Sequence, residues 1–363
     1  PIPFGRSTCF KWGCHNLSFS RDKFPFFSKP KLIGFFSVGP KRNYMNDYSQ
    51  LKYINKIPTG KVSYDLNHNI TSALKRIETE EKLKFLLEYF KDHKEAFDVF
   101  DNSEIPLKDV PFMCYRGLLR EISALPYKNE EPFRFSACLF RGVIYLHSLK
   151  TPEAQAKKAN TTEREKTMCA WGYKFEQYIV SDDPSRDPDI EPPVDESSEF
   201  SGVFESRLNQ HRLIYGAEMD GILVERSSLK EGFQPGKHSE DQVLTELRKL
   251  KFIELKTSRK IEERRHDITF RRHKTISWWL QSFFAGIETI ACGFRDDEGI
   301  VKEVKTFRVF DLPKGSKKNS LTSQLHHQNN NQPTLQCSYT THHISSKKFH
   351  VPKPKIRNPT PYL

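Results

Sequence analysis

The chain has no run of eighteen apolar residues, which excludes a membrane-crossing helix of ordinary length. It has no Cys-x-x-Cys pair. Its seven cysteines (Cys9, Cys14, Cys114, Cys138, Cys169, Cys292 and Cys337) are odd in number and scattered. That pattern excludes a disulfide framework and a structural zinc site, and reads as reduced, intracellular thiols. Residues 1–22 lack the charged, apolar and small-residue succession of a signal peptide, and no role is assigned to them. Hydrophobic residues are scarce at 36%, but 12% of the chain is aromatic, so rings must supply much of the core.

Charge is plentiful and unevenly placed. The formal net charge is +12. Residues 314–363 carry eight Lys or Arg and no acid, whereas residues 182–199 carry eight acids and one Arg. The remaining body is basic, as a protein that binds a polyanion should be. A solvated surface with both signs interspersed fits the same count.

The most informative pattern is acidic. Glu218-Met219-Asp220 is followed by Glu254-Leu255-Lys256, each within apolar sequence. In a strand, residues i and i+2 share a face, so Glu218 projects with Asp220 and Glu254 with Lys256. Three carboxylates and a lysine on one face of core strands are costly without a counter-ion. Oxygen ligands with no His or Cys cluster favour Mg²⁺ or Mn²⁺ over Zn²⁺. This grouping suits phosphodiester or pyrophosphate hydrolysis, with Lys256 on a phosphate oxygen or the attacking water. Glu254-x-Lys256 alone equally fits an ion pair on a solvated face.

Along the chain, residues 24–54 read as extended and wrapping the body. Residues 72–95 have helical apolar spacing, with Ser72 as a cap. Residues 133–148 read as a hairpin around Gly142. Residues 161–180 read as a helix, and 181–198 as a mobile acidic loop rich in proline. Residues 226–250 form a polar connection with a short helix at Asp241–Leu250. Trp278, Trp279, Phe283 and Phe284 make 276–286 an aromatic helix that belongs to the core. Strands are expected at Thr289–Phe294 and Val304–Phe310. From Lys314 onward the composition is that of a disordered basic tail. Its His326-His327 and His342-His343 pairs are read as solvated.

Short segments in order along the chain carry a resemblance. They are Phe24-Pro25-Phe26-Phe27, Tyr48 to Tyr53, Tyr115-Arg116-Gly117, Gly172 to Tyr178, Gly216 to Asp220, Ile253 to Ser258, Lys274, Trp278 to Ser282 and Gly293-Phe294-Arg295. Together they resemble the DXO family of RNA decapping exonucleases, relatives of the PD-(D/E)XK nucleases. The resemblance implies metal binding by Glu176, Glu218, Asp220 and Glu254 and by the carbonyl of Leu255. It implies that Lys256 and Gln281 meet the scissile phosphate or nucleophile, and that Tyr115, Arg116 and Gly117 meet the RNA 5′ end. It places Lys52, Glu81 and Ser201 at substrate-contacting positions, although the family often has cysteine where Ser201 stands. From the residues alone, Glu176 reads as a surface residue at a helix boundary and Gln281 as solvent-facing.

The expected fold is one α/β (α+β) domain over residues 23–313, with a mixed β-sheet core, flanking helices and a metal-binding cleft. The expected function is Mg²⁺- or Mn²⁺-dependent removal of NAD caps, incomplete caps or 5′-triphosphate ends from RNA, with 5′→3′ exoribonuclease activity. The implied partners are RNA 5′ ends and a separate 5′→3′ exoribonuclease, with no membrane, and the implied location is the nucleus. Two other readings stay open: a DNA endonuclease of the same chemistry, and a non-enzymatic partner of an exoribonuclease.

Overall fold

The computed structural model describes residues 25–76, 79–94, 110–125, 127, 132–224, 232–233 and 237–315. The segment 1–22, the tail from residue 316 with its His pairs, Cys9, Cys14 and Cys337, and much of 226–236 lie outside the described residues. The four described cysteines are free. Among the described residues, no helix is long and apolar enough to cross a membrane.

The core is mixed β-sheet flanked by helices, as expected, but it is divided between two sheets. The first has seven strands: β1 (Lys31–Val38), β2 (Tyr44–Met45), β5 (Phe112–Tyr115), β6 (Arg134–Phe140), β7 (Val143–Leu149), β8 (Glu199–Leu208) and β9 (His211–Glu218). Their order is β2-β1-β8-β9-β5-β7-β6. The second has six: β3 (Tyr53–Ile54), β4 (Gly60–Asp65), β10 (Gly221–Leu223), β11 (Lys251–Arg259), β12 (Thr289–Arg295) and β13 (Ile300–Arg308), in the order β3-β10-β11-β12-β13-β4. β11 lies between antiparallel β10 and parallel β12.

Several expected elements are shifted. The described part of the stretch, residues 25–54, is largely extended but broken by turns, and it does not merely wrap the body. β1 pairs with β2 and β8 inside the first sheet, and Phe35, Phe36 and Val38 are buried. The helix expected from residue 72 begins later, as α1 (Lys84–Asp92). Lys82 has a left-handed φ of 47°, which breaks the helix upstream. Leu74 instead trades backbone hydrogen bonds with Val194 and Glu196. Ser72 caps nothing; it closes a 3₁₀ turn, Ile70–Ser72. β13 starts and ends earlier than expected, because Val309–Asp311 turns into a 3₁₀ helix.

Other elements stand where patterning puts them. The hairpin β6–β7 turns on Arg141 and Gly142, both with positive φ, the twist that tight hairpins favour. The helices α2 (Arg116–Ala124) and α3 (Pro152–Ala159) follow β5 and β7, and α4 (Glu163–Ile179) fills the helix expected at 161–180. α4 opens on a capping box between Thr162 and Glu165. α5 (Glu240–Leu247) is the short helix before β11. α6 (Arg264–Thr269), a π-helical turn at Phe270–Lys274 and α7 (Thr275–Phe283) run on continuously. A last short helix, α8 (Leu312–Gly315), ends the described chain. Trp278 and Trp279 are buried, as the core reading required. The acidic stretch 181–198 has no regular helix or strand. Lys174 Nζ donates to the carbonyl of Ile190, and Gln177 to that of Pro192.

Candidate active site

The site lies at the seam between the sheets. β9 ends at Glu218, which faces Ser201 across the β8–β9 ladder. The Met219 N–H still donates to Phe200 of the first sheet. Two residues further, Gly221 opens β10 and pairs with Ile253 of the second sheet. Asp220 belongs to neither strand. Its carboxylate accepts a 2.6 Å hydrogen bond from the Leu255 N–H of β11. Glu218 and Asp220 therefore lie side by side, but not as two positions of one strand.

On β11 the alternation holds. Glu254 is fully buried, and its carboxylate forms an ion pair with Lys256 on the same face. Gln281, from α7, donates to the same Glu254 oxygen. Lys256 also donates to the Leu255 carbonyl at 3.0 Å. Arg116, at the first position of α2, sends Nη1 to within 3.5 Å of the second Glu254 oxygen and of the Gln281 carbonyl. Gln281 is thus directed inward, not to solvent.

Two glycines let these elements approach. A Cβ on Gly293 of β12 would sit 2.5 Å from the Phe175 ring. That bare spot seats α4 against the second sheet, and Glu176 follows Phe175 directly. A Cβ on Gly216 of β9 would sit 2.7 Å from the Tyr115 ring, so the glycine admits the residue that precedes Arg116. Gly117 faces open space.

The electrostatics bind the group together. Burial, Asp220, Glu218 and Glu254 push the Glu176 carboxyl well above the usual range, against the pull of Lys256. Burial, then Glu199 and Asp220, raise Glu218 to about 7. Burial, then Glu254, raise Asp220 to about 6. Glu218 itself is exposed at the end of β9, while Asp220 beside it is half-buried. Glu254 is the exception: burial alone would raise it, but Lys256 and Arg116 outweigh burial and hold it low. Burial pulls Lys256 down, yet Glu254 and Asp220 raise it above its ordinary value. Four acids thus share one region with Lys256 and Arg116.

Among the described residues, no three His, Cys, Asp or Glu side chains are arranged to hold an ion as they stand. The donor chemistry nevertheless fits a hard cation. All donors are oxygen, three carboxyls are raised by one another and by burial, and Glu254 Oε2 is buried without a hydrogen bond.

The other expected site residues lie around this centre. Ser201 is buried on β8 opposite Glu218. Lys52 pairs with Asp182, and its carbonyl accepts from the Ile222 N–H of β10. Glu81 is held by Arg42, at 2.6 and 2.7 Å, and by Arg76 at 2.9 Å. Arg42 and Arg76 also pair with Glu199, which helps raise Glu218. Sequence reasoning missed this network. Arg42, Arg76, Glu81 and Glu199 come from distant stretches, and no local spacing joins them. Tyr173, one helical turn before Glu176, was missed as an individual. Its hydroxyl is raised by burial and by Glu218 and Glu176.

Comparison with known proteins supplies the family. The chain is 34% identical over 307 residues to the decapping and exoribonuclease protein Rai1 of Drosophila melanogaster, spanning 83% of this chain and 78% of that protein. It is 30% identical over 288 residues to the human decapping and exoribonuclease protein, spanning 78% and 67%. Its fold matches Scheffersomyces stipitis Rai1, crystallised with (3′-NADP)⁺ and calcium, with a TM-score of 0.65 at 21% identity over 81% of this chain and 77% of that one. It also matches Candida albicans Rai1, crystallised with pU5 and Mn²⁺, with a TM-score of 0.63 at 22% identity over 86% and 79%. The family model described as RAI1-like PD-(D/E)XK nuclease matches residues 28–346. The chain therefore belongs to the family of RAI1-like PD-(D/E)XK nucleases.

Proposed function

We propose that the chain is a metal-dependent hydrolase of RNA 5′ ends, removing NAD caps, incomplete caps or 5′-triphosphates and then digesting the RNA 5′→3′. The observation that carries this reading is the convergence of Glu176, Glu218, Asp220 and Glu254 on Lys256, Gln281 and Arg116. The decapping and exoribonuclease names of the relatives, and the nucleotide and RNA ligands of the structural neighbours, support it.

Glu176, Glu218, Asp220, Glu254 and the Leu255 carbonyl would hold one or two Mg²⁺ or Mn²⁺ ions. Such ions lower the pKa of a bound water and neutralise charge on the phosphate. Lys256 then leaves its contact with Glu254 to hold a nonbridging phosphate oxygen. Gln281, anchored on Glu254, orients the nucleophile. Arg116 lies within reach of both and supplies a charge-assisted contact to the terminal phosphate. We further propose nuclear action on defective transcripts, alongside a separate 5′→3′ exoribonuclease.

The test is incubation with matched RNAs bearing NAD, triphosphate, unmethylated cap, monophosphate and hydroxyl 5′ ends, with duplex DNA as the competitor. Release of intact NAD or pyrophosphate followed by mononucleotides is expected. Cleavage of duplex DNA with all RNA ends untouched would overturn the reading.

A further inference from the structure

The helix that delivers Gln281 runs beside β11 in the opposite direction. Gln281 touches Glu254 near the start of the strand, and Lys274 Nζ donates to Ser258 Oγ at 3.3 Å and to the Thr257 carbonyl at 3.4 Å near its end. Glu254, Lys256 and Ser258 alternate onto one face, so this helix covers the catalytic face of the strand. Its buried side carries Phe270, Thr275 and Trp278.

Its N-terminal half is strongly basic on the other side. Arg264, Arg265, Arg271, Arg272 and His273 are exposed there, around Ile268. Arg265 is paired with Glu263 and Arg271 with Asp267. Arg264 and Arg272 have no ion-pair partner among the described residues. At ~1.5 Å per residue, Arg272 stands roughly 13 Å and Arg264 roughly 25 Å from Gln281 along the axis. Beside this face is a recess lined by Lys260, Arg271 and Lys305, by Asp267 and Glu303, and by Phe270, Phe294 and Phe307.

We infer that this basic helix face, centred on Arg264 and Arg272, is a track for the phosphates of the RNA body downstream of the reacting 5′ end. Exposed arginines in line with the site, without ion-pair partners among the described residues, suit the phosphates of a flexible anionic strand, and Lys260 and Lys305 in the recess add to the charge along it. The track extends the proposed function: it would make the enzyme prefer longer single strands without changing the chemical step.

The test pairs binding with turnover. R264Q/R272Q is compared with wild type and with K157Q/K158Q, which removes equal charge from exposed positions of α3. Binding is measured in EDTA with single-stranded 5′-monophosphate RNAs of about four and about 30 nucleotides, across a salt series. For the long RNA, R264Q/R272Q should lower the slope of log affinity against log salt by about 1.4, and raise Kd and KM about tenfold. The short RNA, kcat and the α3 control should be unaffected. The inference is overturned by an unchanged slope for the long RNA, by an equal loss in the α3 control, or by an equal weakening of the short RNA. Because the binding arm needs no turnover, it remains informative even if none of the RNA ends is cleaved.

Discussion

The two acidic pairs look alike in sequence and are built differently. Glu254 and Lys256 sit on a nine-residue strand that pairs with β12 along its length from Ile253 and with β10 just before them, at Lys251–Ile253. Their shared face follows from strand alternation alone. Glu218 and Asp220 straddle the passage from one sheet to the other, and Asp220 is fixed by the Leu255 N–H. The first pair depends on local geometry. The second depends on how two sheets are joined, which no two-residue spacing specifies.

The sharpest way to break the seam pair is Asp220→Asn. It keeps the shape and removes a ligand charge. Turnover should fall by roughly 100- to 1000-fold, the loss of about 3–4 kcal/mol of transition-state stabilisation, while the melting temperature stays close to wild type. Near-normal turnover at saturating Mn²⁺ in a folded protein would remove Asp220 from the site.

Next comes the strand pair. Lys256→Ala should reduce kcat by about 100-fold, because a positioned cation is lost from a partly dry cleft, yet metal binding by calorimetry should persist. Arg116→Ala should show a larger KM component than Lys256→Ala. If Lys256→Ala abolished metal binding while hydrolysis at saturating Mn²⁺ stayed normal, Lys256 would be only an ion-pair partner for Glu254.

A subtler contrast uses the apolar residue inside each pair. Met219 and Leu255 are both buried. Either change to Ala should destabilise by about 2–5 kcal/mol. Measured well below the melting temperature, Met219→Ala should also slow turnover, because nothing but the seam itself holds Glu218 against Asp220. Leu255→Ala should slow it less, since β10 and β12 hold β11 in place. Equal kinetic losses would erase the distinction between the pairs.

The smallest effect concerns the arginine network beside Glu218. Burial would raise Glu81, but Arg42 and Arg76 overcome burial and hold its carboxyl below the usual range. A depressed folded pKa stabilises above the unfolded value and is lost as pH falls. Wild type should therefore exceed Glu81→Gln by about 1–2 kcal/mol at neutral pH, with the gap closing below roughly pH 4.5. A gap that persists at pH 3 would assign the effect to packing.

What could be read in advance follows the same division. Strand alternation gave Glu254 with Lys256, turn chemistry gave the β6–β7 hairpin, and apolar spacing gave α4 and the tryptophans of α7. Glu176 and Gln281 were legible as site residues only through family resemblance. Their inward direction depends on how Phe175 seats on Gly293 and on how α7 lies across β11. Residues 73–76 and 79–83 had helical spacing but are not helical; Leu74 bonds instead to the acidic segment more than a hundred residues away. The division into two sheets was not legible either. Both sheets are mixed, and each strand pattern fits one sheet as well as two.

The single residue between Glu218 and Asp220 makes the site a gauge of the whole body. One carboxylate hangs from the seven-stranded sheet, and the other is tied to the six-stranded one. The two are joined through Met219 alone, so a shift of one sheet against the other has to be taken up there and re-aims the two carboxylates. The join between the sheets and the aim of the acidic pair are thus one and the same piece of backbone.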